Sequence, residues 1–206
     1  MPLVRKPTHP TEHLKPSPAE VRTGLVSADA EERWAAARAA AELPGAETAL
    51  AAALPGESDP RVREAMFTSL VRIGTRDSMA GVLPLLRSDD SALRMGALDA
   101  LRSSPLAAHE FLPQLLSDPD ADVRLLSCEL ARSLPGEEAS RSLCALLAAE
   151  SQVNVCAAAI EVLAEVGDQA ALATLARCAE RFAQVPFLEF AIRLATDRIT
   201  AAGKRG

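Results

Sequence analysis

Asp59-Pro60-Arg61-Val62-Arg63-Glu64-Ala65 is the stretch from which the fold can be read, because its chemistry returns about every thirty residues. The counterparts are Asp29-Ala30-Glu31-Glu32-Arg33, Asp90-Ser91-Ala92-Leu93-Arg94 and Asp120-Ala121-Asp122-Val123-Arg124. In each, an Asp stands four residues before an Arg at the head of an Ala/Leu-rich run. An Asp in that place can accept from the free backbone N–H groups of a first helical turn. Pro60, directly after Asp59, suits the first helical position, where no N–H is needed. The Arg lies one turn further on, facing the neighbouring repeat. The spacing therefore predicts a ladder in which Arg33, Arg63, Arg94 and Arg124 each bridge their own Asp (Asp29, Asp59, Asp90, Asp120) and the Asp of the adjacent unit. A row of anion-binding arginines is the competing reading, and the acidic companions count against it.

Working outward, second helices are expected from Ala30, Pro60, Ser91 and Ala121, ending near Pro44-Gly45, Gly74, Pro105 and Pro135-Gly136 as left-handed caps and helix stops. A preceding helix fills each interval, roughly 46–54, 75–87, 106–117 and 137–149. Turns are supplied by Pro55-Gly56, Ser88-Asp89 and Ser117-Asp118. At the N-terminal side, Ser17-Pro18-Ala19-Glu20 reads as a helix start with a Ser cap, Pro in the first turn and Glu three residues on. Past residue 150 the signature erodes. Asn154 is expected at the Arg position of a fifth pair, and a sixth pair spans about 168–182 and 185–201 with Pro186 in place of the Arg. Loss of signature suits a terminal repeat, one face of which meets water.

The 206 residues are 49% hydrophobic but only 3% aromatic, with no Tyr. Such a core must be Ala, Leu and Val, which favours closely packed helices. A formal charge of -6 argues against a surface built to neutralise phosphates, so general nucleic-acid binding is disfavoured. No apolar run is long enough to span a membrane and no signal-type apolar segment opens the chain, which predicts a cytoplasmic protein without membrane insertion.

Residues 1–16 carry Pro2, Pro7, Pro10 and Pro16 and are expected to form a flexible arm. His9 and His13 have helical metal-ligand spacing, but Pro10 between them argues against a metal site. Residues 203–206 are expected to fray. The four cysteines, Cys128, Cys144, Cys156 and Cys178, form no CxxC pair and read as small buried thiols. Glu137-Glu138 and Asp89-Asp90 read as charge clusters at helix starts. No Gly-rich phosphate loop, HExxH or GxSxG appears, and no catalytic constellation is found.

The pattern Asp-x-x-Val-Arg-x-x-Ala followed by Leu and a Gly turn, from Asp59 through Leu70 to Gly74, resembles HEAT repeats. The thirty-residue spacing looks like the short bacterial HEAT-like class first associated with phycobilisome lyases. Over residues 17–202 the resemblance implies an all-α, armadillo-like fold, a right-handed α-α superhelix or solenoid of about six helix pairs. HEAT-like deoxyhypusine hydroxylases carry several His-Glu pairs, whereas this chain has only His109-Glu110. HEAT-like DNA glycosylases use a basic, aromatic concave surface, and this chain is acidic with one Trp.

The implied function is a non-catalytic scaffold, adaptor or assembly factor in a bacterial cytoplasm that holds another protein or peptide, with no cofactor of its own. The alternative is a lyase-like or chaperone-like factor handling a tetrapyrrole or another protein's cofactor, with Cys128 and Cys156 on the ligand side. In such solenoids the second helices line the concave face. Positions one, four, five and eight after each signature Arg are expected to point to a partner. They select Trp34, Arg38, Glu64, Phe67, Met95, Leu98, Asp99, Arg102, Leu125, Glu129 and Arg132, with Val155 continuing the row.

Overall fold

The computed structural model describes residues 17–204; the arm assigned to residues 1–16, with His9 and His13, lies outside them, as do residues 205–206. The described residues hold twelve α-helices and no strand. They form six successive pairs: α1 (Pro18–Gly24) with α2 (Ala30–Ala40), α3 (Glu47–Ala53) with α4 (Pro60–Ile73), and α5 (Arg76–Ala80) with α6 (Ser91–Arg102). Then follow α7 (Pro105–Leu115) with α8 (Ala121–Ser127), α9 (Gly136–Ala149) with α10 (Val153–Val166), and α11 (Leu172–Arg181) with α12 (Pro186–Gly203). Short 3-10 turns at Leu83–Arg87 and Cys128–Ser133 extend α5 and α8. Successive second helices, α2, α4 and α6, then α8, α10 and α12, pack side by side. No helix of the described residues is long and apolar enough to cross a membrane.

Local chemistry sets the helix starts. Ser17 and Glu20 form a reciprocal capping box at α1. Asp29, Asp59, Asp90 and Asp120 cap α2, α4, α6 and α8, accepting from the N–H groups of Glu31, Arg61, Ala92 and Asp122 at 2.8–2.9 Å. The helix ends are less uniform than the sequence implies. Gly74 takes the left-handed conformation, φ 61°, and Gly45 does so in the turn after α2. Pro105 and Gly136 do not terminate α6 and α8; each begins the next helix, Pro at a first-turn position where its missing N–H is harmless. At the far end, α12 runs on through Gly203.

One hydrophobic core runs the length of the stack, from Val21 in α1 to Ile199 in α12. The residue just before three of the four signature arginines is buried in it, Val62, Leu93 and Val123, whereas Glu32 before Arg33 is exposed. Val155 is buried in the same way, which fixes the register of the fifth pair. Gln152 is the cap and Cys156, not Asn154, takes the Arg position. The Cys156 thiol donates to the Glu150 carbonyl, six residues back, at 3.7 Å.

That contact is the one the arginines make. Arg33, Arg63, Arg94 and Arg124 donate to the carbonyls of Ser27, Glu57, Ser88 and Asp118, each six residues back. None is hydrogen-bonded to its own Asp, whose carboxylate accepts from backbone N–H groups of the first turn. The ladder therefore differs from the expected one: each Arg clamps the turn before its helix, and Arg33, Arg63 and Arg124 also reach forward. Arg33 forms a two-pronged pair with Glu57 and Arg124 with Glu150, while Arg63 meets the Asp of the adjacent unit as expected, Asp90 at 3.2 Å.

The forward partners Glu57 and Glu150 stand two residues before a cap, a second repeated position. Its side chains, Ser27, Glu57, Ser88, Asp118 and Glu150, accept from the backbone N–H of Asp29, Asp59, Asp90, Asp120 and Gln152. Glu57, Asp118 and Glu150 are buried, and Asp118 is paired with Arg87. The Arg33 hydrogen bond holds the Glu57 carboxyl below the usual carboxylate range. Burial pushes Glu150 upward, but hydrogen bonds from Arg124 and the Gln152 N–H outweigh it, and its carboxyl is also lowered.

Candidate partner-binding face

The face formed by α2, α4 and α6 carries two adjoining grooves. Between α4 and α6 lies an open groove of about 650 Å³ with Phe67, Val71, Gly96 and Ala100 as its apolar floor, bordered by Arg63, Glu64, Arg72 and Asp99. A smaller groove of about 310 Å³ continues across α2 and α4, past Trp34, Arg38 and Arg61. Thr68, Glu64 and Arg72 border both, so the two read as one strip along three second helices. Gly96 makes the floor possible. A Cβ there would overlap the Phe67 ring, and only glycine lets that ring lie against α6.

Trp34 is half-buried at one end, with Arg38 4.7 Å and Arg61 5.7 Å from its ring centroid. Arg61 is oriented in turn by Glu31 across the repeat boundary at 3.0 Å. On α6, Met95 is 49% exposed. Arg38, Glu64, Asp99 and Arg102 are exposed, and Arg102 lies 3.9 Å from Asp99 on the same helix.

Two selected residues do not face outward. Phe67 is 7% exposed and Leu98 3%. The fourth position after the Arg lies roughly 60° round the helix from the first, which turns it toward the next second helix instead of solvent. Phe67 thus forms groove floor and Leu98 core. Val155 is buried for the register reason already given. Along α8 the row changes character: Leu125 and Glu129 are half-buried, and Arg132 is tied to Glu129 at 2.8 Å and to Glu161 and Glu165 of α10. Those acids raise the Arg132 pKa further, first through the Glu129 hydrogen bond. The available strip is therefore centred on the first three pairs.

Groove residues missed from the sequence are Arg61, Thr68, Arg72 and Gly96. Arg61 and Thr68 share an outward face with Glu64, at helical spacings of three and four, a signal that the fixed count from Arg63 passed over.

Elsewhere, chemistry-bearing groups have structural partners. His109 lies 3.4 Å from Glu138, Glu110 pairs with Arg76, and Glu137 pairs with Arg141 at 2.8 Å. Cys128 and Cys156 are both fully buried, which corrects their assignment to a ligand side. Burial, with Glu129 and Glu150 adding to it, pushes the Cys128 thiol up to about 12.

A family model described as HEAT repeats matches residues 19–102 and 109–184. No curated protein matches the chain. Among solved structures it is similar to an engineered protein at 19% identity, covering 89% of this chain and 96% of that one with a TM-score of 0.42. It is also similar to a designed armadillo repeat protein at 15% identity, covering 88% of this chain and 99% of that one, TM-score 0.38. The complex of CpcE and CpcF of phycocyanin lyase from Nostoc sp. PCC7120 is similar at 17% identity, over 96% of this chain and 100% of that one, TM-score 0.38.

Proposed function

This chain belongs to the HEAT-repeat family, and from that premise we propose that it is a non-catalytic protein-interaction scaffold whose partner docks along the α2–α4–α6 strip. The observation that carries the reading is the groove over Phe67, Val71, Gly96 and Ala100, apolar at its floor and charged at its rim. An apolar centre with a polar border is the usual anatomy of a protein-recognition site. Trp34, Met95 and Arg38 supply the residue types that most often anchor such contacts. The occupant is a protein segment, such as an amphipathic helix, that seats one bulky apolar side chain over the Phe67–Gly96 floor. Its charged positions meet Arg38, Arg72, Glu64 and Asp99 at the rim.

The test is capture from native extract by wild type and by the double variant Trp34→Ala, Met95→Ala. Loss of the captured protein, with helicity and melting nearly unchanged, supports the strip. Unchanged capture by the folded variant refutes it.

A further inference from the structure

Cys156 and Cys178 take no part in the proposed docking strip, yet their surroundings are more specialised than packing requires. Cys156 projects from α10 and Cys178 from α11; both are buried, and both sulfurs border one polar contact, the Cys156 thiol donating to the Glu150 carbonyl at 3.7 Å. Nη2 of Arg181 lies 3.5 Å from the Cys178 sulfur. The same nitrogen donates to the carbonyls of Leu147 at 2.6 Å and Glu150 at 3.0 Å, which fixes the guanidinium in place. Arg181 therefore binds the Glu150 carbonyl that Cys156 also contacts, taking over from the next pair the clamp that the missing signature Arg performs elsewhere.

This setting divides the two sulfurs. The neighbouring Cys156 thiol, then the positive charges of Arg181 and Arg177, hold the Cys178 thiol below its ordinary range against the opposing effect of burial. Cys156 is pushed the other way, by Cys178 and by burial, and keeps its proton. Cys144 is raised by burial and Cys128 more so. Cys178 also borders a crevice of about 450 Å³ together with Arg177, Arg181 and Thr174, a route for a small oxidant.

We propose that Cys178 and Cys156 form a reversible disulfide in response to a peroxide, covalently joining the fifth helix pair to the sixth. The Cys178 thiolate attacks one peroxide oxygen, the O–O bond breaks, and hydroxide leaves to be protonated to water, giving a sulfenic acid on Cys178. The Cys156 sulfur then attacks the sulfenyl sulfur; the S–S bond forms, the S–OH bond breaks, and the Cys156 proton leaves with the hydroxide as a second water. Two thiols are oxidised by two electrons and one hydrogen peroxide is reduced to two waters. A dithiol reductant returns the pair to thiols. The bond involves the one interior pair where the signature Asp and Arg are both absent, so oxidation adds a covalent tie beside the hydrogen bonds that Arg181 makes there.

The full chain, treated in its native state with hydrogen peroxide at neutral pH, quenched by alkylation and mapped by non-reducing peptide mass spectrometry, tests this. The expected result is a Cys156–Cys178 linkage as the dominant crosslink, formed about tenfold or more faster than Cys128 or Cys144 is lost, and reversed by dithiothreitol. In Cys156→Ser, which keeps a donor of similar shape, Cys178 is expected to stop at the sulfenic acid and be trapped by dimedone. Recovery of both as free thiols while Cys144 is consumed, or a Cys144–Cys178 linkage in their place, overturns the proposal. So does a Cys156→Ser protein with wild-type circular dichroism whose Cys178 fails to react.

Discussion

The guanidinium of Arg124 on α8 meets both carboxylate oxygens of Glu150 in the turn before α10, Nε to Oε2 at 2.6 Å and Nη2 to Oε1 at 3.2 Å. Both groups are largely buried, and Glu150 in turn accepts from the Ser151 and Gln152 N–H groups. Removing the Arg strands a buried carboxylate, which is costlier than never having made the pair. Arg124→Ala is expected to lower unfolding free energy by about 3 kcal/mol in urea titration. Adding Glu150→Gln should recover part of that loss, because the stranded charge is then gone.

The acid limb of stability follows from the same carboxylates. Glu57 and Glu150 have folded-state pKa values below the unfolded value, which is about 4.3 for Glu. Their contribution is present above that pH and disappears as pH falls through the lowered folded values. Thermal melts between about pH 5 and pH 3 should therefore fall less steeply in Glu57→Gln and Glu150→Gln than in wild type, from a lower starting point at neutral pH.

The Arg63 rung of the ladder leaves one buried donor unpaired. Nε of Arg33 and of Arg124 each donate to a Glu, whereas Nε of Arg63 is buried without an acceptor. The position that carries Glu57 and Glu150 in those pairs is Ser88 here, too short to reach. Ser88→Glu is expected to supply the missing carboxylate and raise stability by about 1 kcal/mol, read as a higher urea midpoint with unchanged slope. A lower midpoint would show that crowding beside Asp89 and Asp90 outweighs the new hydrogen bond.

Gly96 lies against the Phe67 ring so closely that a methyl group forces the ring to move. Gly96→Ala should cost about 1–3 kcal/mol by overpacking, despite the better helix propensity of alanine. Pairing it with Phe67→Leu, which frees the space, should restore part of the loss in the same denaturation assay.

Much of the scaffold was legible because it is local. Asp29, Asp59, Asp90 and Asp120 announce helix starts by chemistry that acts within one turn, and the second helices begin at the four residues expected. What escaped was non-local. Whether Phe67 points to solvent or to α6 depends on where the next helix packs, and the count from Arg63 alone contains no such information. The same holds for Cys156. Its place in the signature became clear only from burial of Val155, and the substitute guanidinium of Arg181 comes from another helix pair. The acceptor row of Ser27, Glu57, Ser88, Asp118 and Glu150 was in the sequence at constant spacing from each cap, but alternation of Ser with acids disguised it.

Thr68 is exposed and borders both grooves, so Thr68→Arg fills the strip without touching the core. Titration calorimetry of the captured partner against wild type and Thr68→Arg, alongside urea unfolding of both, is the most direct test of partner docking on this face. The expected result is an affinity loss of about a hundredfold or more, roughly 2.7 kcal/mol, with an unchanged urea midpoint. Equal affinity in a Thr68→Arg protein of unchanged stability would contradict it.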